Sequence, residues 1–419
     1  MSTVTELRPR TPAETRLLQL AEARGENENA RRPAIEALRR EGLPTRRVEA
    51  WHYTDLRQLM GKRLGADDAV EALRETSETM LEPFLHGSSI VDLSTANGSH
   101  LPDGVTVAKS DAGADWQDTP NRLDRSLDTV RALNVAFGAA STVIAVADSA
   151  QPEHAIELRP GTGMDAHAFT RVSLGAKSKA TFVERLDGGS SNAPSTGVSE
   201  LHLGEGSEVL WIVDQEKALD ATHLGQLHVR LEANSLFKLF VLNAGGSLVR
   251  YEVHTDVVGE GADIQMRGVN LIKDGQHIDV TTTLNHTVAH TTATETFRNV
   301  VMGGHGVFQG IIKVARGAQK TDANMACNSL LLSDEGDFSA KPELEIFADD
   351  VVCGHGATAG EIDADHLFYL MSRGIPADEA RALLIKAFVT EVVEELEDEA
   401  IEEVLEARID AWLERNAAR

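Results

Sequence analysis

The chain has 419 residues, 42% hydrophobic and 25% charged, a balance that suits a folded protein with two or three domain-sized cores and argues against disorder. Its net charge of −26 and pI near 4.9 oppose binding to nucleic acid or to an anionic lipid surface, where the phosphate term is repulsive. No apolar run approaches the roughly 18 residues of a membrane helix, Met1 to Arg10 has no apolar core behind its charges, and the two cysteines, Cys327 and Cys353, fit a reducing compartment, so the expected location is the cytoplasm.

Thr11-Pro12-Ala13-Glu14 has the form of a capping box with Pro at the first helical position, and Leu17, Leu18 and Ala21 follow at helical spacing, so a helix starts there. A second helix is predicted from near Pro33 to Gly42, where Pro44 prevents its resumption, and a third from about Asp68 to Leu81. Between them, Leu43-Pro44-Thr45-Arg46-Arg47, Glu49, Trp51 and Tyr53-Thr54-Asp55-Leu56 form an arginine-rich linker whose two aromatics can pin it to a core. Asn97-Gly98 and Asp103-Gly104 are turn signals in a weakly alternating stretch from Ile90 to Val107, where short strands begin.

From about Thr142 strand patterns take over, at Val143 to Ala147, Ala155 to Leu158, Thr181 to Val183, Val209 to Val213, Leu227 to Leu231 and Leu236 to Leu242. An apolar residue followed by Gly, Glu or Ala opens a unit at Leu174, Leu203, Leu231, Val258 and Val288, at spacings of 29, 28, 27 and 30 residues. A recurrence of this size indicates stacked units, here the rungs of a parallel β-helix over about residues 142 to 340. An antiparallel sandwich competes, since it needs turns about every 8 to 12 residues and such turns also occur.

After Gly374 two amphipathic helices follow. One carries Ala380, Leu383, Leu384, Ala387, Phe388, Val392 and Val393 as its apolar stripe, the other Ile401, Val404, Leu405, Ile409, Trp412 and Leu413. The acidic run from Glu391 to Glu406 reads either as a solvated face or as a docking surface.

The chemical clue lies between Glu343 and Gly374. Cys353 and His355 are two apart, so on an extended strand both side chains leave the same face as a soft metal-ligand pair, with Gly354 and Gly356 leaving room for close approach. On spacing alone, a buried Cys and a turn His account for the pair better, because one Cys-x-His lacks the four-ligand pattern of a structural metal site. Cys327 lies 26 residues before Cys353, near one rung, and reads either as its stacked neighbour or as a core residue.

The run Pro342-Glu343-Leu344-Glu345-Ile346, Ala348-Asp349-Asp350-Val351, Cys353, His355-Gly356-Ala357-Thr358, Gly360, Ile362-Asp363, Leu367-Phe368-Tyr369-Leu370 and Ser372-Arg373-Gly374-Ile375 closely resembles the signature of the SufB/SufD family of Suf iron–sulfur assembly subunits, its D-type chains in particular. The Trp51 segment, Ala132 to Phe137, Gln319 to Asp322 and Asn328 to Ser333 resemble the same family, so the likeness spans most of the chain. Gly354-His355-Gly356-Ala357 stands where SufB chains typically carry Glu-His-Glu-Ala, which points to the D type.

The resemblance implies a mainly β fold: a right-handed parallel β-helix core at 91–345 between an N-terminal helical domain at 1–90 and a C-terminal helical domain at 346–419 that carries the Cys-x-His motif and ATPase-docking helices. It also implies a noncatalytic scaffold subunit that pairs with SufB and carries the SufC ATPase. A nascent iron–sulfur cluster would be held transiently at the SufB interface by His355, with Cys353 as companion ligand, and then passed to apoproteins. ATP would act only through SufC, in keeping with a sequence that has no Gly-x-x-x-x-Gly-Lys-Ser/Thr motif. Flavin binding, and homodimers in the absence of SufB, are left open. A reading from another class is a polysaccharide lyase or hydrolase on the same scaffold, with Asp263 and Asp279 as acid and base; an aromatic content of 5% weighs against it.

Overall fold

The structure, a computed structural model, describes residues 9–24, 28–64, 82–110, 123, 127–161, 166–188 and 194–416. The helix expected from Asp68 to Leu81 lies outside them. Among the described residues the helices are α1 (Pro12–Ala23), α2 (Glu28–Glu41), α3 (Leu56–Arg63), α4 (Thr129–Ala136), α5 (Ala364–Ser372), α6 (Ala377–Glu394) and α7 (Glu399–Asn416).

The predicted capping box closes α1: Thr11 Oγ1 accepts from the Glu14 amide, and the Glu14 carboxylate accepts from the Thr11 amide. Glu14 also accepts from the Leu43 amide and pairs with Arg57, which fastens the first helix to the linker that follows the second. Helix α2 begins five residues earlier than expected, with Pro33 inside it rather than at its start. Helix α4 has no counterpart among the sequence expectations, although Asp128 caps it through the Arg131 amide.

Among the described residues the strands stack into two sheets, of ten and nine strands, and from Ala140–Val146 onward consecutive strands of the chain alternate between them. From Ile156–Arg159 to Val352–Gly360 in one sheet, and from Ala140–Val146 to Asp337–Ile346 in the other, all neighbours are parallel. That is a parallel β-solenoid, and it excludes the antiparallel sandwich. Among the described residues antiparallel pairs occur only at its beginning, where Asn97–Gly98 folds back on Ser89–Asp92 and Val105–Lys109 lies against Ala140–Val146.

Leu174, Leu203 and Leu231 are in register, as the repeat predicts, but the next partners are Val257 and His286 rather than Val258 and Val288. The turns absorb the slip, since side chains alternate along a strand and a one-residue register error would turn the inward set outward. Inside, Phe182 stacks on Trp211 at 5.4 Å and Phe297 meets Phe308 at 5.3 Å. Gly268 lies in register with Phe297, where any β-carbon would collide with the ring.

A polar ladder climbs one inner edge. Gln215 donates to Asn243 (3.4 Å), Asn243 to Asn270 (2.7 Å), Asn270 to Asn299 (2.7 Å) and Asn299 to Ser329 (3.1 Å), so each buried amide is satisfied by the rung above.

Helices cover both outer faces. Helices α1 to α4 pack on Phe169, Val198, Leu224 and Leu248 of the nine-stranded sheet. Helices α6 and α7 pack on Val183, Ile212, Phe240 and Val300 of the ten-stranded sheet through Ile385, Val389, Ile409 and Trp412. Strand Val352–Gly360 is bonded along its length to Asp322–Leu331, so the Cys-x-His segment is the last rung of the solenoid, and the division expected at 346 falls inside the β core rather than at its end. The helical segment begins at Ala364.

Candidate functional site at the open end of the solenoid

The last strand of each sheet, Asp337–Ile346 and Val352–Gly360, has a neighbour on one side only. Their side chains are half-buried or exposed, in contrast to the buried inner residues of every rung below. Ile346, Phe347 and Val352 are exposed apolar residues here, with Phe347 and Val352 each at 65%.

Register fixes where the two candidate ligands point. Cys353 pairs with Ala323 and His355 with Met325, both buried inward residues, so Cys353 and His355 lie on the inward column at the open mouth. The shared face expected from their spacing is therefore realised. Cys353 is partly buried and packs against the margin of the core; His355 is exposed. Gly356 has open space beside it, whereas a β-carbon at Gly354 would come within 3.0 Å of Asn324 Oδ1.

Burial raises the Cys353 thiol above its ordinary value, and the nearby Asp322 charge adds to this against the lowering effect of the Ala323 amide. Cys327 is fully buried, accepts from Asn299 Nδ2 at 3.3 Å and is pushed by burial to about 12. It pairs with Ala357, four residues beyond Cys353, which is about 13 Å along a strand. The 26-residue spacing falls short of a rung that is 30 residues long here, so Cys327 is a core residue and not a stacked partner.

The acid and base of the carbohydrate reading do not join this site, nor do the strand histidines to which the sequence assigned no role. Asp279 is fully buried and paired with Arg250, while Asp263 belongs to the other sheet, so the acid and base of the carbohydrate reading do not share a groove. His277 bonds Thr54, His286 bonds Thr291 and His305 bonds Ser339. The Trp51 segment anchors the helical layer: Arg250 donates to the Ala50 carbonyl and lies over the Trp51 ring, and Thr54 donates to Asp279.

Both C-terminal helices pack on the sheet, but only α7 does so through the stripe expected for it. In α7 the predicted stripe is the buried one, at Ile401, Leu405, Ile409, Trp412 and Leu413. In α6 the buried residues are Ala380, Ile385, Val389, Val392 and Val393, which leaves Leu383 45% exposed. Helix α5 buries nothing and exposes Phe368, Tyr369 and Met371. That surface was invisible from spacing alone, because an apolar helix next to a core normally packs on it.

The family model for the SufBD core domain of SUF system FeS cluster assembly matches residues 159–388, more than half of the chain and nearly the whole solenoid. The chain belongs to the SufBD family. It is 28% identical over 392 residues to the iron–sulfur cluster assembly protein SufD of Escherichia coli, covering 90% of each chain. It is 27% identical over 394 residues to the SufBD family protein slr0076 of Synechocystis, covering 88% of this chain and 87% of that one. It is 26% identical over 388 residues to the chloroplastic protein ABCI7 of Arabidopsis thaliana, covering 85% and 80%. Within the SufBD core, the matched segment includes Cys353 and His355 and ends in α6. No described helix is long and apolar enough to cross a membrane.

Proposed function

We propose that this chain is the D-type scaffold subunit of a cytoplasmic Suf complex, pairing with SufB at the open end of the solenoid so that a nascent iron–sulfur cluster forms against His355 and Cys353. The observation that carries this is the terminal rung itself: an exposed edge strand with unpaired backbone groups, flanked by Phe347 and Val352, that holds an imidazole and a thiol on one face. An exposed edge is a template for a partner strand, and exposed apolar residues beside it favour its being covered. In the absence of SufB a second copy of the chain fits the same description.

Iron–sulfur centres are usually held by four protein ligands, and this rung offers two, so the others come from the partner. The thiol and imidazole suit iron, with imidazole the weaker donor, which favours a cluster that is handed on. The chain supplies no nucleotide motif, so ATP acts through SufC. SufC docks on the outward surface of α5 and α6, where Phe368, Tyr369, Met371 and Leu383 are exposed, rather than on the stripes that cover the sheet.

The test is coexpression with SufB and SufC and anaerobic reconstitution of the complex. His355→Ala should leave subunit stoichiometry unchanged by native mass spectrometry while the visible absorption of the cluster is lost, and the single chain should reconstitute no stable cluster. Wild-type cluster yield in the variant complex would remove His355 from the site.

A further inference from the structure

The inward column of the ten-stranded sheet runs Trp211, Leu239, Met266, Glu295, Met325 and His355, in register from rung to rung. One member does not belong chemically. Glu295 is 1% exposed, and its carboxylate oxygens lack a hydrogen bond of good geometry among the described residues, the Thr282 hydroxyl being the one donor near enough to favour the charged form. It lies two rungs beneath His355, about 10 Å from the open mouth at the usual strand spacing, with Met325 between them.

The groups that bear on it are few. From the Asp263–Ile272 strand comes the Arg267 guanidinium, itself engaged with Glu395 and Thr294 on the outer face. The Asp322–Leu331 strand contributes the protonated Cys327 thiol. Across the interior, the His277–His286 strand presents only the Thr282 hydroxyl, and the His305–Val314 strand presents Phe308 and Gly310, without charge. Gly310 is what gives Met325 its place, since a β-carbon there would meet the Met325 sulfur and methyl. Met325 therefore closes the column over the carboxyl.

We propose that Glu295 is a proton-operated switch for the last two rungs: neutral, it packs as an uncharged side chain, and on ionising it loosens the strands Asp322–Leu331 and Val352–Gly360 that present Cys353 and His355. Burial outweighs the help of the Thr282 hydroxyl and the Arg267 charge, so the ionised carboxylate is unstable in this apolar interior, and the least costly way to hydrate it is to open the structure between it and water. In a solenoid each rung rests only on its neighbours, and the two rungs above Glu295 end at an edge where no further strand pairs among the described residues. Burial pushes the carboxyl up to about 7, so the switch operates around neutrality. This deepens the proposed role of the terminal rung by making the presentation of its two ligands depend on pH, yet the test below reads the free chain and stands whether or not a cluster binds there.

Backbone amide exchange of the free chain is measured at pH 6 and pH 8 and corrected for intrinsic rates. In the wild type, exchange at 322–331 and 352–360 should rise about tenfold between the two, as linkage requires for a carboxyl moved from its ordinary value to about 7. Glu295→Gln, and Glu295→Leu as a variant that fills the site without polar atoms, should show no such rise. A flat wild-type response, an equal rise in either variant, or an equal rise in the distant strands Lys179–Gly188 and Glu208–Lys217 would overturn the proposal.

Discussion

The guanidinium of Arg250 lies 4.0 Å from the centre of the Trp51 ring, and both side chains are shut off from solvent. The same guanidinium donates to Glu252, to Asp279 and to the Ala50 carbonyl, so one sheet residue holds the N-terminal linker by its ring and by its backbone. Trp51→Ala is expected to cost about 3–5 kcal/mol, the range for removing a large buried aromatic. A lowered urea midpoint, with protease cleavage first appearing between α2 and α3, checks this; an unchanged midpoint contradicts the anchoring role.

The amide ladder makes a second prediction. Asn270→Ala removes both a donor and an acceptor, leaving Asn243 and Asn299 with buried groups unpaired. A loss of about 2–4 kcal/mol in equilibrium unfolding is expected, and Asn270→Asp, which keeps the shape but replaces the donor, should not restore it.

Acid sensitivity should come from buried neutral histidines. Burial, followed by the charges of His305, Arg63 and Arg250, lowers His277 to about 3. Its folded value lies below the unfolded 6.5, so the stability it allows is complete above pH 6.5 and is lost as pH falls from there toward 3. His277→Gln keeps a polar partner for Thr54 and should flatten the fall in melting temperature between pH 6.5 and 5. An undiminished slope places the acid sensitivity elsewhere.

Phe347 and Val352 support no core of their own. Phe347→Asp with Val352→Asp should leave the melting temperature of the free chain within about 2 °C, since exposed substitutions cost little. The same pair should abolish SufB binding in a pull-down, and retained binding would move the interface away from the open end.

The repeat was legible because inward residues at each turn must match those above and below, and this imprinted a recurrence near 28 residues from Leu174 onward. What blurred it was the turns: the slip between Val257 and Val258 shows that they change length freely while the strands keep register. Cys353 and His355 could be read as same-face neighbours because they share one strand, whereas Cys327 could not be placed, since spacing across a rung depends on the turn lengths between. Helix α6 carries apolar residues on two faces; the stripe expected from spacing ran through Leu383, whereas the sheet buries Ile385 and Val389, which that stripe did not include. Glu295 had no sequence signal at all; a Glu in a strand is ordinarily outward, and only the register shows that it is not.

A stacked array whose final unit lacks a neighbour has its weakest point at that unit, and whatever seats against it acts as the missing capping repeat. If the proposed partner seats there, mass action makes the melting temperature of this chain depend on partner concentration, rising by an amount set by RT ln(1 + [L]/Kd) and fading on dilution. Thermal scans of the purified chain alone consequently report the lower limit of its stability, and a titration of melting temperature against an added partner would yield the affinity of the open end without any label on either protein.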